Sequence, residues 1–415
     1  MSFLQITSLL IVLAAGFSVI NALVLRLVPS IGILSVTLAS SFVLLGLDAA
    51  FPVLGLATEA HAFVSQIEFP KALLEGMLGL LLFGGALGVR VQDLRGEWPV
   101  VFLLATVAVA ISTAIIGIGF HFLVGAPLLV ALVFGALISP TDPVAVMGTL
   151  RQAGLSRPLE VQIEGESLFN DGIGYVVFLI LSGLAFSTSQ HSGVDLQGVA
   201  ILFLREAVGG ALLGLVLGWI AFRTIRLIDD YGTEVLITLG LALGGYQLAI
   251  SLSVSAAMMA VCAGLLVGEI GKRHGMSDTT EKYVTAFWLL VNHILNALLF
   301  LMIGLEVFAL QVTLDVVMIG TLAIGLSLVG RLISVSTSLV LLRWLRTFPP
   351  GISRLLTWGG VKGGISVALA LSLPDNAWKG EILTITFIVV VFSVLVQGLT
   401  VERVARRFSL LKPDG

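Results

Sequence analysis

The chain contains a long series of apolar blocks, each long enough to cross a bilayer. A transmembrane helix needs about 20 mostly apolar residues, and such blocks lie at about 3–28, 31–51, 70–89, 98–122, 127–150, 158–187, 203–223, 233–252, 255–271, 282–310, 315–343, 352–374 and 380–404. Only 11% of the 415 residues are charged, less than half of the usual share in a soluble domain. The sequence therefore predicts an all-α polytopic membrane protein with about 13 transmembrane helices.

The N-terminal block, the polar segment after the second block, and the cysteine and histidines fit this prediction. The first block lacks the basic region and the cleavage site of a secretory signal, so we expect it to be a span. The segment 53–68 is too polar to span and predicts a short interfacial helix outside. Because Cys262 is the single cysteine and the five histidines show no metal-ligand spacing, neither an internal disulfide nor a structural metal is expected.

The placement of lysine and arginine predicts the orientation of the spans. If the N-terminus lies outside, the outward loops contain only Lys71, Arg205 and Lys379 of the 22 basic residues, and Arg331 and Lys362 fall inside spans. All the others then lie in inward loops or at inward ends, as the positive-inside rule requires. We expect the N-terminus outside and the C-terminus in the cytoplasm.

Ionisable side chains in the middle of spans are the strongest functional signal. Asp142 lies in the fifth span, Asp171 in the sixth, Arg331 in the eleventh and Lys362 in the twelfth, and Glu166 is one to two turns on the cytoplasmic side of Asp171. A charge at bilayer depth is costly, so such residues usually face a cavity and have a function or a partner. Two acids and two bases at one depth predict a shared cavity.

The stretch EGESLFNDGIG, residues 164–174, arranges its polar groups at helical spacing. Ser167 and Asp171 are four apart, as are Glu166 and Asn170, so each pair shares one face of the sixth helix. Glu164 lies on the face of Asp171, about 10 Å nearer the cytoplasm. We expect Glu164 to line an entrance.

The fifth and twelfth spans are both interrupted near their middle. In ISPTDPVAV, Pro140 and Pro143 disfavour helix, and in WGGVKGGIS four glycines surround Lys362. Each broken span is the fifth of a set of six, blocks 1–6 and 8–13, and the two sets cross the membrane in opposite directions. Paired interrupted helices in an inverted repeat predict a transporter's central site. Asp142 and Lys362 are placed there to neutralise exposed helix ends.

Five motifs in order extend this interpretation to a known family. SPTDPVAV, EGESLFNDG, FLMIGLEV, GRLISV and WGGVKGGISVALALSLP resemble those of the NhaP-like sodium/proton antiporters of the monovalent cation:proton antiporter superfamily. The resemblance implies an NhaA-like fold with crossed, broken helices, a homodimer, and a prokaryotic inner membrane. It also implies a mobile ion-carrying core, here about 98–187 and 315–404, that moves like an elevator against dimerisation and scaffold helices, about 1–89 and 203–310.

The resemblance further implies roles for individual residues. Asp171 would bind the cation and the proton, with Ser167 and the backbone around Thr141 as further ion ligands. Asn170 stands where electrogenic relatives have a second aspartate.

Several relatives carry an acid in the third span, where this chain has Gly84 and Gly85, and many have arginine at the position of Lys362. Lysine keeps the charge but loses the fork of donors. The absence of the third-span acid leaves the ion preference open.

The charged neighbours of Asp171 admit two roles each. Glu166 is either the structural partner of Arg331 or a direct ligand. Lys362 either neutralises the helix ends, as Asp142 does, or forms a salt bridge with Asp171.

Burial penalises the charged form of Asp171, so that a proton and a monovalent cation compete for one carboxylate. If the carrier crosses only when loaded, exchange of Na⁺, and also Li⁺, for H⁺ is one for one and electroneutral. Exchange of K⁺ for H⁺ remains an alternative, as do a cation channel and an intramembrane hydrolase that would use Asp142 and Asp171 as a dyad. No enzymatic activity, cofactor or nucleic-acid partner is expected.

Overall fold

The computed structural model describes residues 2–186, 196–271, 275–310, 313–344 and 346–411. Within these ranges the chain is helical, and ten helices are long and apolar enough to cross a membrane. A shorter apolar helix, Ala256–Gly271, and two interrupted helices complete thirteen spans, which confirms the predicted number. The protein is an integral membrane protein.

The spans follow one another in the predicted order. Spans one to seven are Leu4–Leu25, Pro29–Ala50, Phe69–Gly88, Val91–Val124, the interrupted pair Leu128–Ile138 and Val144–Gln152, Arg157–Phe186 and Gln197–Ile225. Spans eight to thirteen are Tyr231–Ser251, Ala256–Gly271, Asp278–Ala309, Leu314–Leu341, the interrupted pair Ile352–Trp358 and Gly364–Leu371, and Lys379–Arg407. A short helix, Leu56–Val64, lies in the segment predicted to be interfacial.

The boundaries differ from the prediction mainly in the fourth span. Its helix begins at Val91, not near residue 98, and its first turns contain the charged residues Asp93, Arg95 and Glu97. Pro99 lies within this helix. Hydropathy alone locates the apolar part of such a span and misses its polar first turns.

Two groups of helices build the interior. The fourth, fifth and sixth spans pack with the eleventh, twelfth and thirteenth, and the third packs with the eighth and ninth, which also contact the seventh. The sixth span also packs against the seventh and ninth. The residues of the sixth span therefore lie where the two groups meet.

Candidate functional site: the crossing of two broken helices

The two helix interruptions, residues 139–143 and 359–363, contact each other inside the protein. The backbone N–H of Asp142 donates to the carbonyl of Val361 at 2.7 Å. A Cβ at Gly363 would lie 2.4 Å from the Cβ of Asp142, so only glycine allows this approach. The close approach thus depends on Gly363. The hydrogen bond between the two interruptions also gives a partner to one N–H and one carbonyl that lie outside regular helix.

The ammonium of Lys362 covers the end of the first half of the fifth span. Its Nζ donates to the carbonyls of Ser139 at 3.0 Å and Pro140 at 3.3 Å. These carbonyls follow the last turn of Leu128–Ile138, where the helix dipole is negative. Lys362 is buried and, in the part of the chain that the structure describes, forms no ion pair with Asp171.

Asp142 lies at the start of the second half of the same span. Its Oδ1 accepts a hydrogen bond from the backbone N–H of Val144 at 2.9 Å, in the first turn of Val144–Gln152. A carboxylate at this end of a helix is favoured by the dipole. The side chain is therefore occupied with the backbone of its own span.

The sixth helix presents its polar residues to the fifth-span interruption. Ser167 Oγ donates to the carbonyl of Thr141, and Asn170 Nδ2 donates to Thr141 Oγ1 at 2.9 Å. A Cβ at Gly174 would lie 2.2 Å from Pro140 Cγ, so glycine is required for this packing as well. Asn170 Oδ1 is buried and accepts no hydrogen bond from any described residue.

The carboxylate of Asp171 differs from its neighbours in its lack of polar partners. It forms neither a hydrogen bond nor an ion pair within the described ranges, and it is partly accessible where Ser167 and Asn170 are buried. Its neighbours in the helix contact the other group of spans, since Gly172 lies against Met258 and Leu168 against Gly85. Asp171 thus lies between the two groups of helices.

Glu166 and Arg331 form an ion pair inside the crossing. Their side chains are 2% and 4% exposed. The contact is close enough for an ion pair but is not aligned as a hydrogen bond. Arg331 Nη2 also donates to the carbonyl of Leu356 at 3.3 Å, at the end of the first half of the twelfth span. The pair links the sixth, eleventh and twelfth spans.

Glu164 lies in a chain of alternating charges at the start of the sixth helix. It forms an ion pair with Arg151, which also approaches Glu160 at 3.7 Å. Arg157 continues the chain, with contacts to Glu160 at 2.9 Å and Asp93 at 2.8 Å. The carboxylate nearest the predicted entrance is therefore held by an arginine in this structure.

Two further groups of bonded polar residues were missed in the sequence. Glu97 accepts hydrogen bonds from Gln162 Nε2 at 2.7 Å and from Arg346 Nη2 at 2.9 Å. Ser393 and Gln397, on the thirteenth span, bond to the interruption of the twelfth. Their spacing of four only places them on one helix face, which does not distinguish them from polar side chains that bond to their own backbone.

The side chain of Asn292 occupies the space next to Gly84. A Cβ at Gly84 would lie 2.6 Å from Asn292 Oδ1, which belongs to the tenth span. Asn292 Oδ1 accepts no hydrogen bond from a described residue. A neutral amide thus lies against the third-span glycine.

The arrangement offers oxygen atoms around one uncommitted carboxylate. Hydroxyl, carbonyl and carboxylate oxygens are the ligands that hard cations prefer. Asp142, Lys362, Glu166 and Arg331 are each occupied with protein groups. Asp171 is therefore the carboxylate at the crossing that no described group engages by a hydrogen bond or an ion pair.

Proteins similar in sequence to this chain include sodium/hydrogen exchangers and antiporters. Residues 2–407 match the family described as "Sodium/hydrogen exchanger, transmembrane". The Na⁺/H⁺ antiporter NhaP of Pseudomonas aeruginosa is 42% identical over 421 residues, covering 99% of this chain and 98% of that protein. The Na⁺/H⁺ antiporter NhaH of Halobacillus dabanensis is 36% identical over 374 residues, covering 89% of this chain and 92% of that protein.

The fold is also similar to that of a solved protein. The structure of the sodium proton antiporter MjNhaP1 from Methanocaldococcus jannaschii superposes with a TM-score of 0.77. The two chains are 20% identical, and the match covers 99% of this chain and 100% of that one. At this identity the likeness establishes the fold, with its inverted six-helix repeats and crossed, broken helices.

Proposed function

The chain belongs to the sodium/hydrogen exchanger family, and on that premise we propose that it exchanges Na⁺, and also Li⁺, for H⁺ across the membrane. The relatives NhaP and NhaH are named Na⁺/H⁺ antiporters. The single observation that carries the proposal is the carboxylate of Asp171, which lies at the helix crossing without a hydrogen bond or ion pair to a described residue. A charge at this depth needs an occupant, and a proton or a cation supplies it.

The charges at the crossing support electroneutral exchange. Glu166 and Arg331 cancel each other as an ion pair, and Asp142 and Lys362 are one acid and one base, each bonded to backbone at a helix end. Asp171 is left as a single negative charge. One proton or one Na⁺ neutralises it equally, so a carrier that crosses only when loaded exchanges them one for one.

The ion ligands are proposed from the atoms that the crossing leaves available. Ser167 Oγ uses its proton toward Thr141, so that its lone pairs can face a cation. Asn170 Oδ1 and the region of Thr141 supply further oxygens beside the Asp171 carboxylate. Sodium is held by such neutral oxygens and one carboxylate, and it leaves when a proton takes the carboxylate.

Alternating access is proposed to be an elevator movement of the core, about 98–187 and 315–404, against the scaffold, about 1–89 and 203–310. Its support is the surface between the two groups of spans. Gly172 lies against Met258, and a Cβ at Gly364 would meet Leu299. Apolar contacts with small residues can slide without breaking hydrogen bonds.

The setting in the membrane is also a proposal. The distribution of basic residues supports an outside N-terminus, a cytoplasmic C-terminus and Glu164 on the cytoplasmic side, and the bacterial relatives support an inner membrane. We propose a homodimer as well. Only 17% of the apolar window of the first span and of the seventh is buried within one chain, so both have surface for a second copy or for lipid.

The direct test is proton movement in proteoliposomes on addition of Na⁺, Li⁺ or K⁺. The wild type should move protons with Na⁺ and Li⁺, and Asp171→Asn should lose the response entirely, because the amide binds neither a proton nor a counter-charge. Asp375→Asn is a matched control, because its side chain is 99% exposed and pairs with Lys379 outside the crossing. It should behave like the wild type.

Two outcomes would contradict the proposal. Cation-dependent proton movement that persists in Asp171→Asn would remove that residue from its role. A rate that changes when the membrane potential is clamped at different values with valinomycin, under saturating Na⁺, would contradict one-for-one exchange. A response to K⁺ alone would change the assigned cation and keep the mechanism.

A further inference from the structure

The interruption of the twelfth span separates one donor and one acceptor that an α-helix would have joined. In a continuous helix the N–H of Lys362 would donate to the carbonyl of Trp358, four residues earlier. Here the N–H of Lys362 donates to Ser393 Oγ at 2.8 Å, and the carbonyl of Trp358 accepts from Gln397 Nε2 at 2.9 Å. Two side chains of the thirteenth span thus stand between the separated partners.

The two side chains are also bonded to each other. Ser393 Oγ donates to Gln397 Oε1 at 2.5 Å, so that the hydroxyl accepts from one group and donates to another. Ser393 is 1% exposed and Gln397 3%. The path from Lys362 N–H to Trp358 carbonyl is therefore a closed series of three hydrogen bonds in a buried place, where each broken bond would leave a polar group unsatisfied.

The inverted repeat relates this bridge to the cation site. Asp171 and Ser393 lie the same number of residues after the first residues of their helices, Arg157 and Lys379. Ser393 also begins a π-helical segment, Ser393–Gln397, within the thirteenth span. The second repeat thus has a neutral, hydrogen-bonded bridge in the region where the first repeat has an unpaired carboxylate.

We propose that Ser393 and Gln397 are positioning residues of the cation site, an inference that rests on the proposed function. By holding the turn from Trp358 to Lys362 open, they fix the backbone from which the Lys362 side chain extends. The Lys362 ammonium in turn holds the carbonyls of Ser139 and Pro140, next to Thr141, which bonds to Ser167 and Asn170 of the sixth span. The bridge therefore sets the geometry of the fifth-span oxygens without contacting the ion.

The consequence of losing the bridge follows from the same contacts. Without the Ser393 hydroxyl, the buried N–H of Lys362 loses its acceptor. The N–H can then find a new acceptor by forming the direct helical bond to the carbonyl of Trp358. That bond would shift the backbone of Lys362 and move its ammonium relative to the two carbonyls. The cation site would be distorted while Asp171 itself is unchanged.

The experiment compares the concentration of Na⁺ that gives half-maximal proton movement with the maximal rate. Ser393→Ala and Gln397→Glu should raise the half-saturating concentration about tenfold, equal to about 1.4 kcal/mol, and change the maximal rate less. Gln397→Glu keeps an acceptor for Ser393 but loses the donor to Trp358. Ser393→Thr keeps the hydroxyl and should restore wild-type values.

Thr400→Val is the matched control. Thr400 accepts from the indole Nε1 of the same Trp358 at 2.9 Å and lies on the same helix, but it does not bond to the interrupted backbone. Its loss should leave the half-saturating concentration unchanged. The stabilisation of each variant by Na⁺ in a thermal melt gives a second measure of binding that does not depend on transport.

The outcomes distinguish this inference from the proposed function. If the wild type moves no protons with any cation, the proposed function fails. If it does, and Ser393→Ala and Gln397→Glu match Thr400→Val, the positioning role alone is overturned. If Ser393→Ala does not fold, the other two variants decide. A wild-type half-saturating Na⁺ concentration for Gln397→Glu overturns the positioning role. A raised concentration for Gln397→Glu, together with a wild-type one for Ser393→Thr, supports it.

Discussion

The two interrupted helices share a geometry and differ in chemistry. The fifth span is broken by Pro140 and Pro143, and its carbonyls are covered by a lysine from the other repeat. The twelfth is broken among glycines, and its free donor and acceptor are closed by Ser393 and Gln397. One interruption lies beside a carboxylate without a described partner, and the other bonds to a neutral bridge in which each side-chain N and O atom has a partner.

The difference shows how a duplicated architecture can take on two tasks. A site that releases its ion must leave some polar groups unsatisfied when it is empty, and this is tolerable only if the surrounding backbone is fixed. In the proposed mechanism the first repeat contains Asp171, whose occupant changes, and the second contains the bridge of Ser393 and Gln397, which stays in place. The comparison predicts that changes on the two sides alter different measured quantities.

The largest effect is expected from Lys362→Met, which removes the side-chain link between the two interruptions. The carbonyls of Ser139 and Pro140 would lose a charged donor in a buried place, at a cost of about 1.5–3 kcal/mol in the free energy of unfolding. We expect lower thermal stability and most of the exchange activity lost. Lys362→Arg should retain more of both, because it keeps the charge. Equal loss in the two variants would show that side-chain shape matters more here than charge.

The next effect concerns the charge moved in each cycle. Asn170→Asp would place a second carboxylate beside Asp171, and Asn170 is buried against Thr141. Exchange should then become sensitive to membrane potential, because two negative charges no longer match one cation. The measurement is the initial rate in proteoliposomes at two potassium diffusion potentials, and the wild type should show no difference. A variant that stays insensitive to potential would mean that the added acid remains protonated throughout the cycle.

The smallest effect is expected from Gly363→Ala, which strains the contact between the two interruptions. The added methyl would lie 2.4 Å from Asp142, and overpacking of this kind costs about 1–3 kcal/mol. We expect a modest loss of thermal stability and a rise of a few fold in the half-saturating Na⁺ concentration. Gly325→Ala, where a Cβ would meet nothing within 4 Å, is the control and should be neutral or slightly stabilising.

Much of the architecture could be predicted from the sequence because the bilayer imposes simple rules. The number of spans, the two interruptions and their inverted relation followed from apolar length and from the positions of proline and glycine. The depth of the charges also indicated which residues would come together near the two interruptions. The structure brings Glu166 to Arg331 and Lys362 to the fifth-span carbonyls, while the roles of these residues in transport stay predictions.

Other parts could not be predicted because they depend on three-dimensional contacts between distant residues. Serine and glutamine in an apolar helix often bond to their own backbone, so Ser393 and Gln397 gave no distinct signal. Glu97 and Arg346 lie in the fourth span and after the eleventh, and nothing in their local sequence pairs them. The fourth span was placed too late in the chain because its first turns are polar.

The lysine that covers the fifth-span carbonyls belongs to a helix synthesised much later, since the amine and the Ser139 carbonyl are 223 positions apart. During biosynthesis the fifth and sixth helices would enter the membrane before the twelfth. The Ser139 carbonyl would have no lysine partner until the twelfth span is inserted. The proposed cation site is therefore incomplete in the first half of the chain, although every proposed ligand is already there. Its completion coincides with the joining of the two halves.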